Sequence, residues 1–428
     1  MTLAATIARF AASGAPVENA RDVMRQSLYD WMVCGISGAS EPVSLIVREQ
    51  ALADGGAPDA RLFGGGAVPA RAAALANGTI SHALDYDDTH FAHIGHPSVA
   101  IFPAVFAAGR HDGEARLDAA LIGAEISVRI GLWLGRSHYQ SGFHQTATAG
   151  AFGATVAVAR LFGLNEEQLT EAIGITATKA AGLKSQFGTM GKPLNAGLAA
   201  ECGVIAADLA RRGFVSNPNA LDGPQGFGST HEGAGDLTAF DELGSAWLMQ
   251  DVSHKLHACC HGLHAMIEAL GSLNLTADTV SDVIIETHPR WLAVCNITEP
   301  KTGLESKFSY RQAAAMVLGG HDTSKIANFS KETATDQKLS AVRQRVQVRA
   351  DDLLSETEAC VSVTTTSGEK FMARHDLISK ISAEEKWQKL RRKGRALVGK
   401  DIEERLYNTT ACPVDSKALL DLMETPAR

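Results

Sequence analysis

The feature that most constrains the fold of this 428-residue chain is a long succession of alanine-rich segments between Val17 and Arg212. Within each segment, apolar residues recur at steps of three and four, which is the spacing of one face of an α-helix. Alanine favours helix, and its small side chain lets neighbouring helices approach closely. The pattern predicts tightly packed helices over residues 23–36, 70–85, 98–109, 117–134, 146–162 and 195–212.

The pattern changes near Asp251, where segments typical of β-strands appear. The predicted strands cover residues 280–287, 359–365 and 370–373. The last two are joined through Ser367 and Gly368, which is typical of a hairpin. Between the strands, helical spacing predicts helices over residues 307–318 and 335–346.

Helical patterns return after Ala383, and a chain of this length commonly forms more than one domain. We therefore predict a mainly α protein built from two domains. A large all-helical domain would comprise residues 1–250 and 384–428. A smaller α+β domain would comprise residues 251–383.

Composition excludes several classes of protein. The chain has 40 basic and 48 acidic residues and a net charge of -8, so we expect it to bind neither nucleic acid nor anionic membranes. Its seven cysteines show no C-x-x-C spacing, which favours a reducing cytoplasm over a disulfide framework. We expect neither a secretory signal nor a membrane span, which needs ~20 apolar residues. Motifs for nucleotide cofactors, P-loop NTPases and α/β-hydrolases are absent from the sequence.

The segment SHALDYDDTHFAHIGHPS, residues 81–98, concentrates titratable side chains. They are Asp85, Asp87, Asp88, His82, His90, His93 and His96. Each of them would need a polar partner if buried, so a role in packing alone is disfavoured. In one hypothesis, Asp85, Thr89 and His96 form a pocket for acid–base chemistry. In the other, His90, His93 and His96 bind a divalent metal ion together with an aspartate.

Three further segments carry candidate side chains. HKLHACCHGLHAMIEAL contains Lys255 and three histidines that would share one helix face, which is typical of either a zinc site or an anion site. KSQFGTMGKPLNAG places Lys192 before a proline at the start of a helix, where an ammonium group and backbone amides converge on a carboxylate. SGFHQTATAG places His144 directly before a helix, where a capping or packing role is more usual.

Taken together, these motifs resemble the successive signatures of the MmgE/PrpD family. The matching stretches lie in family order between Ala76 and Ala315, and they read ANGTISHALDYDDTH, HPS, GFHQTATAGAFGA, GKPLNAG, HKLHACCHG and KFSYRQAAA. The family includes 2-methylcitrate dehydratase, cis-aconitate decarboxylase and iminodisuccinate epimerase. The resemblance implies a large helical domain with a smaller α+β lid, a homodimer, an active site between the domains, and no metal or other cofactor.

The resemblance also implies the site residues, motif by motif. The implied catalytic residues are Asp85, His96, His144, Lys192 and Lys255. The implied substrate-binding residues are Thr89, His93, His257, Tyr310 and Gln312. Gln312 stands where several members of the family carry a tyrosine, and Tyr310 lies two residues before it.

The implied function is that of a cofactor-independent lyase which abstracts an α-proton from a small di- or tricarboxylate. The reaction would be dehydration of citrate or 2-methylcitrate, or decarboxylation of a compound like cis-aconitate. Either Asp85 or His96 would be the base, while Lys192 and Lys255 stabilise the developing charge. One alternative is an isomerase or epimerase of a dicarboxylate such as iminodisuccinate. Another is a metal-dependent hydrolase that uses His90, His93 and His96.

Overall fold

The structure is a computed structural model that describes residues 2–379, 381–411 and 413–425; Cys412 lies outside these residues. The chain forms two compact units, Met1–His254 with Val398–Arg428, and Lys255–Leu397. We call the first the helical unit and the second the α+β unit. The prediction of a mainly α protein with a smaller α+β part is confirmed. The domain limits that the sequence indicates, near residues 250 and 384, stay a prediction.

Helices form nearly all of the helical unit. Up to residue 254 they are α1 (Leu3–Ser13), α2 (Glu18–Gly38), α3 (Pro42–Asp54), α4 (Ala70–His82), α5 (Ser98–Ala107), α6 (Gly113–Gln140), α7 (Gln145–Leu161), α8 (Glu166–Lys179), α9 (Gly191–Arg211) and α10 (Phe227–Thr230). A two-stranded antiparallel ribbon joins β1 (Ala60–Arg61) to β2 (Ala67–Val68). Among the described residues, no helix has both the length and the apolar character that a membrane span needs.

Small side chains let α9 pack against both α4 and α7 in this unit. α4 and α9 meet at Gly78 and Gly197, where a Cβ atom added to Gly197 would lie 2.2 Å from the carbonyl oxygen of Leu75. The side chains of α7 from Gln145 to Ala159 are all buried. This packing brings the C-terminal end of α4 and the N-terminal ends of α7 and α9 into the same unit as the titratable segment.

The α+β unit contains a four-stranded sheet with helices α11 (His264–Ser272), α12 (Pro289–Leu292), α13 (Gly303–Ser306), α14 (Tyr310–Leu318), α15 (Lys331–Thr335), α16 (Gln337–Arg343) and α17 (Ala383–Val398). The strands are β3 (Val280–Thr287), β4 (Val346–Ala350), β5 (Glu358–Thr365) and β6 (Lys370–Asp376), in the order β4-β3-β5-β6. β3 and β4 are parallel, whereas the other pairs are antiparallel. The chain then continues with α18 (Lys400–Thr410) and α19 (Ser416–Met423).

The structure confirms the predicted hairpin of β5 and β6 but corrects several helix ends. The helix predicted over 335–346 is shorter, because Asp336 caps α16 and Val346 begins β4, which pairs with β3. The helix predicted over 307–318 begins later, because the Ser309 side chain accepts a hydrogen bond from the third amide of α14. The helix predicted over 70–85 ends at His82. Capping and strand pairing, rather than apolar spacing, set these limits.

Candidate active site

The segment between α4 and α5 is folded back on itself by backbone hydrogen bonds. The Thr89 amide donates to the Ser253 carbonyl at 2.8 Å and the Ser253 amide donates to the Thr89 carbonyl at 2.7 Å. The His90 amide donates to the Gly95 carbonyl at 2.9 Å. Asp85 has a φ of 49°, in the left-handed region that aspartate tolerates better than most residues. The middle of the segment is therefore fixed to Ser253, and its second half forms a closed loop.

Asp87 is fully buried between two imidazoles. Its Oδ1 accepts a hydrogen bond from Nδ1 of His82 at 2.8 Å. Its Oδ2 lies 2.7 Å from Nδ1 of His96, at an angle outside the hydrogen-bond range. Burial acts to raise the pKa of Asp87, but His82 and His96 outweigh it and hold this pKa well below its usual range. Asp87 is therefore an ionised carboxylate that is hydrogen-bonded to the His82 ring and lies against the His96 ring.

His96 presents its other ring nitrogen to Asp85. The distance from Nε2 of His96 to Oδ1 of Asp85 is 3.4 Å. Burial lowers the pKa of His96 to about 4, although Asp87 acts in the opposite direction. The ring is therefore neutral at pH 7. Because Nδ1 faces the Asp87 carboxylate, Nδ1 carries the proton and Nε2 can accept one.

Lys192 reaches the same place from the start of α9. Its Nζ lies 2.7 Å from Oδ1 of Asp85, and the side chains of the two residues are 16% and 43% exposed. The Nζ atom also lies 5.4 Å from the centre of the Phe187 ring. A helix N-terminus is partly positive, and the ammonium group adds a full charge. This end of α9 can therefore bind a substrate carboxylate.

His144 directly precedes α7 at the N-cap position, makes no capping hydrogen bond through its side chain, and is buried. Its amide donates to the Gly182 carbonyl at 3.0 Å, and its Nδ1 lies 3.2 Å from Nδ2 of Asn195. Its ring centre is 6.4 Å from that of His82. Burial, with a further contribution from the Lys192 charge, holds the pKa of His144 well below its usual value. His144 is thus a neutral imidazole beside the residues described above.

We call His82, Asp85, Asp87, His96, His144, Lys192 and Asn195 the cluster. His90 and His93 instead form hydrogen bonds that hold the segment in place. Nε2 of His90 donates to the Leu248 carbonyl at 2.9 Å, and its Nδ1 accepts from the His93 amide at 3.2 Å. Nε2 of His93 lies 3.2 Å from the hydroxyl of Ser127. Burial lowers the pKa of His93 to about 3, so this ring is neutral as well. The predicted contact of His93 with substrate stays a prediction.

Asp88 ties the same segment to the start of α5. The Ser98 hydroxyl donates to Oδ2 of Asp88 at 2.5 Å, and the Ser98 amide lies 3.3 Å from Oδ1. Burial raises the pKa of Asp88 to about 6, against the effect of the Ser98 hydrogen bond. Asp88 is therefore a buried structural carboxyl group that can hold a proton in mild acid.

The cluster has the composition of a metal site as well as that of an acid–base site. Within the described parts of the chain, one group of possible ligands is found: atoms of His82, Asp85, Asp87 and His96 lie within 4.8 Å of one another. The alternative metal site of His90, His93 and His96 is not among the possible ligand groups of the described residues, because the rings of His90 and His93 form hydrogen bonds elsewhere. Lys192 already supplies a positive charge at Asp85.

The remaining predicted site residues lie in the α+β unit, and they are Lys255, His257, Tyr310 and Gln312. Nε2 of His257 lies 3.2 Å from Oε1 of Glu268. The Tyr310 hydroxyl donates to a backbone carbonyl at 2.7 Å, and the Gln312 amide donates to another at 3.0 Å. Tyr310 and Gln312 are fully buried. The roles of these four residues in the reaction stay predictions.

Three residues of the cluster were not selected from the sequence as site residues: His82, Asp87 and Asn195. The first two stood in the titratable segment, but only their burial and their mutual hydrogen bond distinguish them from their neighbours. Asn195 follows Lys192 by three positions in a helix. That spacing places both side chains on one face and is a signal that the sequence already contained.

The fold and the cluster define a class of protein, in which closely packed helices hold a largely buried group of carboxylates and imidazoles. Within that class, family models identify this chain. Residues 1–239 match the MmgE/PrpD N-terminal domain, and residues 257–408 match the MmgE/PrpD C-terminal domain. The chain therefore belongs to the MmgE/PrpD family, as the sequence motifs predict.

Several curated proteins are similar to this chain. A cis-aconitate decarboxylase-like protein, oryM, of Aspergillus oryzae is 31% identical over 47% of this chain and 46% of its own length. The cis-aconitate decarboxylase of Aspergillus terreus is 30% identical over 59% of this chain and 56% of its own length. The human cis-aconitate decarboxylase is 27% identical over 75% of this chain and 69% of its own length. The chain spans about half the length of the first two relatives.

Proposed function

We propose that this protein is a cofactor-independent lyase that acts on a small di- or tricarboxylate by moving a proton at carbon. One observation carries the proposal: Lys192 and His96 both lie against Asp85, at 2.7 Å and 3.4 Å. An ammonium group for a carboxylate and a neutral imidazole that can take a proton are the groups such a reaction requires. The names of the relatives support decarboxylation of cis-aconitate as the first candidate reaction.

In this proposal each residue has a distinct task. Lys192 binds a substrate carboxylate and stabilises the negative charge that develops on it when a carbanion forms beside it. His96 exchanges a proton with carbon through Nε2, and the Asp87 carboxylate holds its ring in the required orientation. Asp85 holds Lys192 in place before substrate binds. On the resemblance alone we add Lys255 as a second catalytic cation and Thr89 as a substrate contact.

The candidate reactions differ in what leaves the substrate. In decarboxylation the bond to a carboxylate carbon breaks, carbon dioxide leaves, and the electron pair that remains takes one proton. In dehydration a proton leaves one carbon and hydroxide leaves its neighbour, with a second proton completing the water. In epimerisation the proton is removed and returned to the opposite face. All three need a cation beside the carboxylate that carries the developing charge. Dehydration and epimerisation also need a group that takes a proton from carbon, whereas decarboxylation needs a group that gives a proton to carbon. The cluster contains ring nitrogens for either transfer, so it is compatible with each reaction.

The test is incubation of the purified full-length protein with citrate, 2-methylcitrate, cis-aconitate and iminodisuccinate in deuterated water. We expect NMR to show loss of cis-aconitate, release of carbon dioxide and one deuterium in the product. Water loss from citrate or 2-methylcitrate would instead identify a dehydratase. Deuterium exchange in iminodisuccinate without loss of any group would identify an epimerase. If all four compounds remain unchanged and unexchanged, the proposed lyase function is wrong.

Measurements on the same purified protein distinguish the proposed lyase from two other functions. A metal-dependent hydrolase would contain a stoichiometric divalent ion and would lose its activity when the ion is removed. A protein that only binds polycarboxylates would bind cis-aconitate in calorimetry but leave its carbon-bound hydrogens unexchanged. Either result would replace the lyase proposal.

A further inference from the structure

The side chain of Asn195 makes two contacts through the same nitrogen atom. Nδ2 lies 3.2 Å from the Leu183 carbonyl oxygen and 3.2 Å from Nδ1 of His144. Asn195 is 5% exposed, and His144 is 2% exposed. Both contacts therefore lie in a part of the helical unit where an unpaired polar group would be costly.

The Leu183 carbonyl determines which way the amide of Asn195 points. A carbonyl oxygen only accepts hydrogen bonds, so the NH2 group of Asn195, and not its oxygen, must face it. The Leu183 carbonyl is itself held in place, because the Lys184 amide next to it donates to the Gly142 carbonyl at 2.8 Å. The orientation of the amide thus follows from its partners and not from an arbitrary choice between oxygen and nitrogen.

The second hydrogen of the same NH2 group is directed to His144. Because the amide nitrogen only donates, Nδ1 of His144 must be the acceptor, and this nitrogen carries no proton. The proton of the neutral ring then lies on Nε2. We propose that Asn195 is a positioning residue that holds His144 as the tautomer with its proton on Nε2, so that His144 serves as a neutral hydrogen-bond donor to the substrate.

This inference gives two imidazoles of the cluster opposite roles. Asp87 faces Nδ1 of His96 and leaves Nε2 of that ring free to accept a proton. Asn195 faces Nδ1 of His144 and leaves an N–H group on Nε2. Burial keeps the pKa of His144 well below its usual value, so the ring donates a hydrogen bond without carrying a charge. A neutral imidazole can polarise a substrate carbonyl or carboxylate in this way. The catalytic consequence rests on the proposed function, whereas the tautomer does not.

The tautomer can be measured directly in the substrate-free protein. In full-length protein labelled with nitrogen-15 in histidine, long-range proton–nitrogen correlation spectra distinguish the protonated ring nitrogen from the bare one. We expect His144, identified by the signal lost in His144→Phe, to show a bare Nδ1 and a protonated Nε2 between pH 6 and 8. A protonated Nδ1 in the unmodified protein would overturn the inference.

His138 provides an internal reference of the opposite kind. Its Nδ1 lies 2.6 Å from the His231 carbonyl, which only accepts, so Nδ1 of His138 must carry the proton. Burial lowers the pKa of His138 to about 4, and this ring is therefore also neutral at pH 7. The spectrum should accordingly contain both tautomers, with His138 and His144 assigned to opposite patterns.

Two substitutions at Asn195 test its role. In Asn195→Asp the new carboxylate accepts from the ring, so the proton of His144 should move to Nδ1 and the pKa of His144 should rise. In Asn195→Ala the preference should weaken, and kcat for the responding substrate should fall ~100-fold with KM changed by less than ~3-fold, as for loss of an aligned donor. Full turnover in Asn195→Ala together with an altered tautomer would remove the catalytic consequence.

A matched control separates positioning from general destabilisation. Asn77 is also buried, and its side chain accepts from the Phe63 amide at 3.0 Å and donates to the Arg61 carbonyl at 2.8 Å. Asn77→Ala should lower the melting temperature and leave the His144 signals unchanged. A change of the His144 tautomer in Asn77→Ala equal to that in Asn195→Ala would contradict a specific role of Asn195. If the unmodified protein shows the expected tautomer but turns over no polycarboxylate, the proposed lyase function fails and the structural assignment stands.

Discussion

The Nζ atom of Lys192 lies 2.7 Å from Oδ1 of Asp85, and Asp85 is the more exposed partner of this ion pair. Partly exposed ion pairs contribute little to stability, typically about 0–1 kcal/mol. A substrate carboxylate can therefore replace Asp85 as the partner of the Lys192 ammonium group at a small cost in free energy. Asp85 holds the ammonium group at the position where the substrate needs it, and this relationship makes Lys192 the first residue to test.

Replacement of Lys192 should remove substrate binding and charge stabilisation together. For Lys192→Ala we expect kcat/KM to fall by ~100- to 1,000-fold, the usual effect of losing one preorganised group at a developing negative charge. Steady-state release of carbon dioxide from the responding substrate measures it. Lys184→Ala is the matched control, because Nζ of Lys184 donates to the Tyr139 carbonyl at 2.8 Å and lies 3.7 Å from the centre of the Tyr139 ring. Equal losses in the two variants would contradict a specific role of Lys192.

The two aspartates of the cluster should differ in their effect on stability. Asp87→Asn removes a fully buried charge that lies against His82 and His96, so both the melting temperature and kcat should fall, kcat by up to roughly 10,000-fold as in other carboxylate–imidazole pairs. Asp85→Asn alters a half-exposed side chain, so the melting temperature should remain within about 2 °C while activity falls. Calorimetry and steady-state kinetics on the same samples check both. A larger loss of stability in Asp85→Asn would reverse this assignment.

The free energy of unfolding should already decrease when the pH falls below about 6.5, well before it reaches 4. The folded pKa values of His93 and His96 are about 3 and about 4, below the unfolded value near 6.5, because burial disfavours their charged forms. As pH falls below 6.5, the unfolded chain takes up protons that the folded protein does not, so stability decreases. At ~1.4 kcal/mol per pH unit, each histidine contributes on the order of 2 kcal/mol to the loss between pH 6.5 and pH 5. Urea unfolding at pH 5, 6 and 7 measures it.

Asp88 works against this trend in the same pH window. Its folded pKa of about 6 exceeds the usual value of 3.8, so the folded protein binds a proton first and gains stability as pH falls from 6 to 3.8. One carboxyl group does not outweigh two buried histidines. Asp88→Asn should therefore make the loss of stability on acidification steeper. Greater stability of the unmodified protein at pH 5 than at pH 7 would contradict these pKa directions.

Removal of metal ions should leave turnover unchanged. His82, Asp85, Asp87 and His96 are close enough to bind an ion, but the Lys192 ammonium already occupies the charge-compensating position at Asp85. We expect dialysis against EDTA to have no effect on kcat, and added Zn²⁺ to inhibit by competing with Lys192. Metal analysis of the dialysed protein completes the test. An ion bound one to one, whose removal abolishes turnover, would assign the cluster to a metal enzyme.

The crossing of α4 and α9 should be sensitive to a single methyl group. A Cβ atom at Gly197 would lie 2.2 Å from the Leu75 carbonyl oxygen and 2.3 Å from Oγ1 of Thr79, so Gly197→Ala must push the two helices apart. We expect a loss of about 1–3 kcal/mol in unfolding free energy, measured by urea unfolding. Gly271→Ala in α11 is the control, because its Cβ would meet no atom within 4 Å and should be neutral or stabilising. Similar losses of unfolding free energy in the two variants would contradict a specific steric effect at Gly197.

Parts of the candidate site were predictable from sequence for identifiable reasons. The density of carboxylates and imidazoles in residues 81–98 marked the segment, and Lys192 before a proline marked a helix start that the structure places at Gly191. The sequence could not decide whether His90 and His93 join His96 in a metal site, because their geometry depends on a non-helical segment. That segment is folded by pairing with Ser253, which lies more than 150 residues away along the chain.

The sequence by itself determined most helices of the helical unit, three of the four strands in the sheet of the α+β unit, the family and the set of polar residues at its motifs, because apolar spacing and local motifs are properties of neighbouring residues. Only the tertiary structure decided which of those residues work together. It buried Asp87 between two imidazoles, brought Lys192 to Asp85 and directed the Asn195 amide to His144. Protonation states and tautomers depend on burial and on partners far away in the chain, and those arise only when the helices pack.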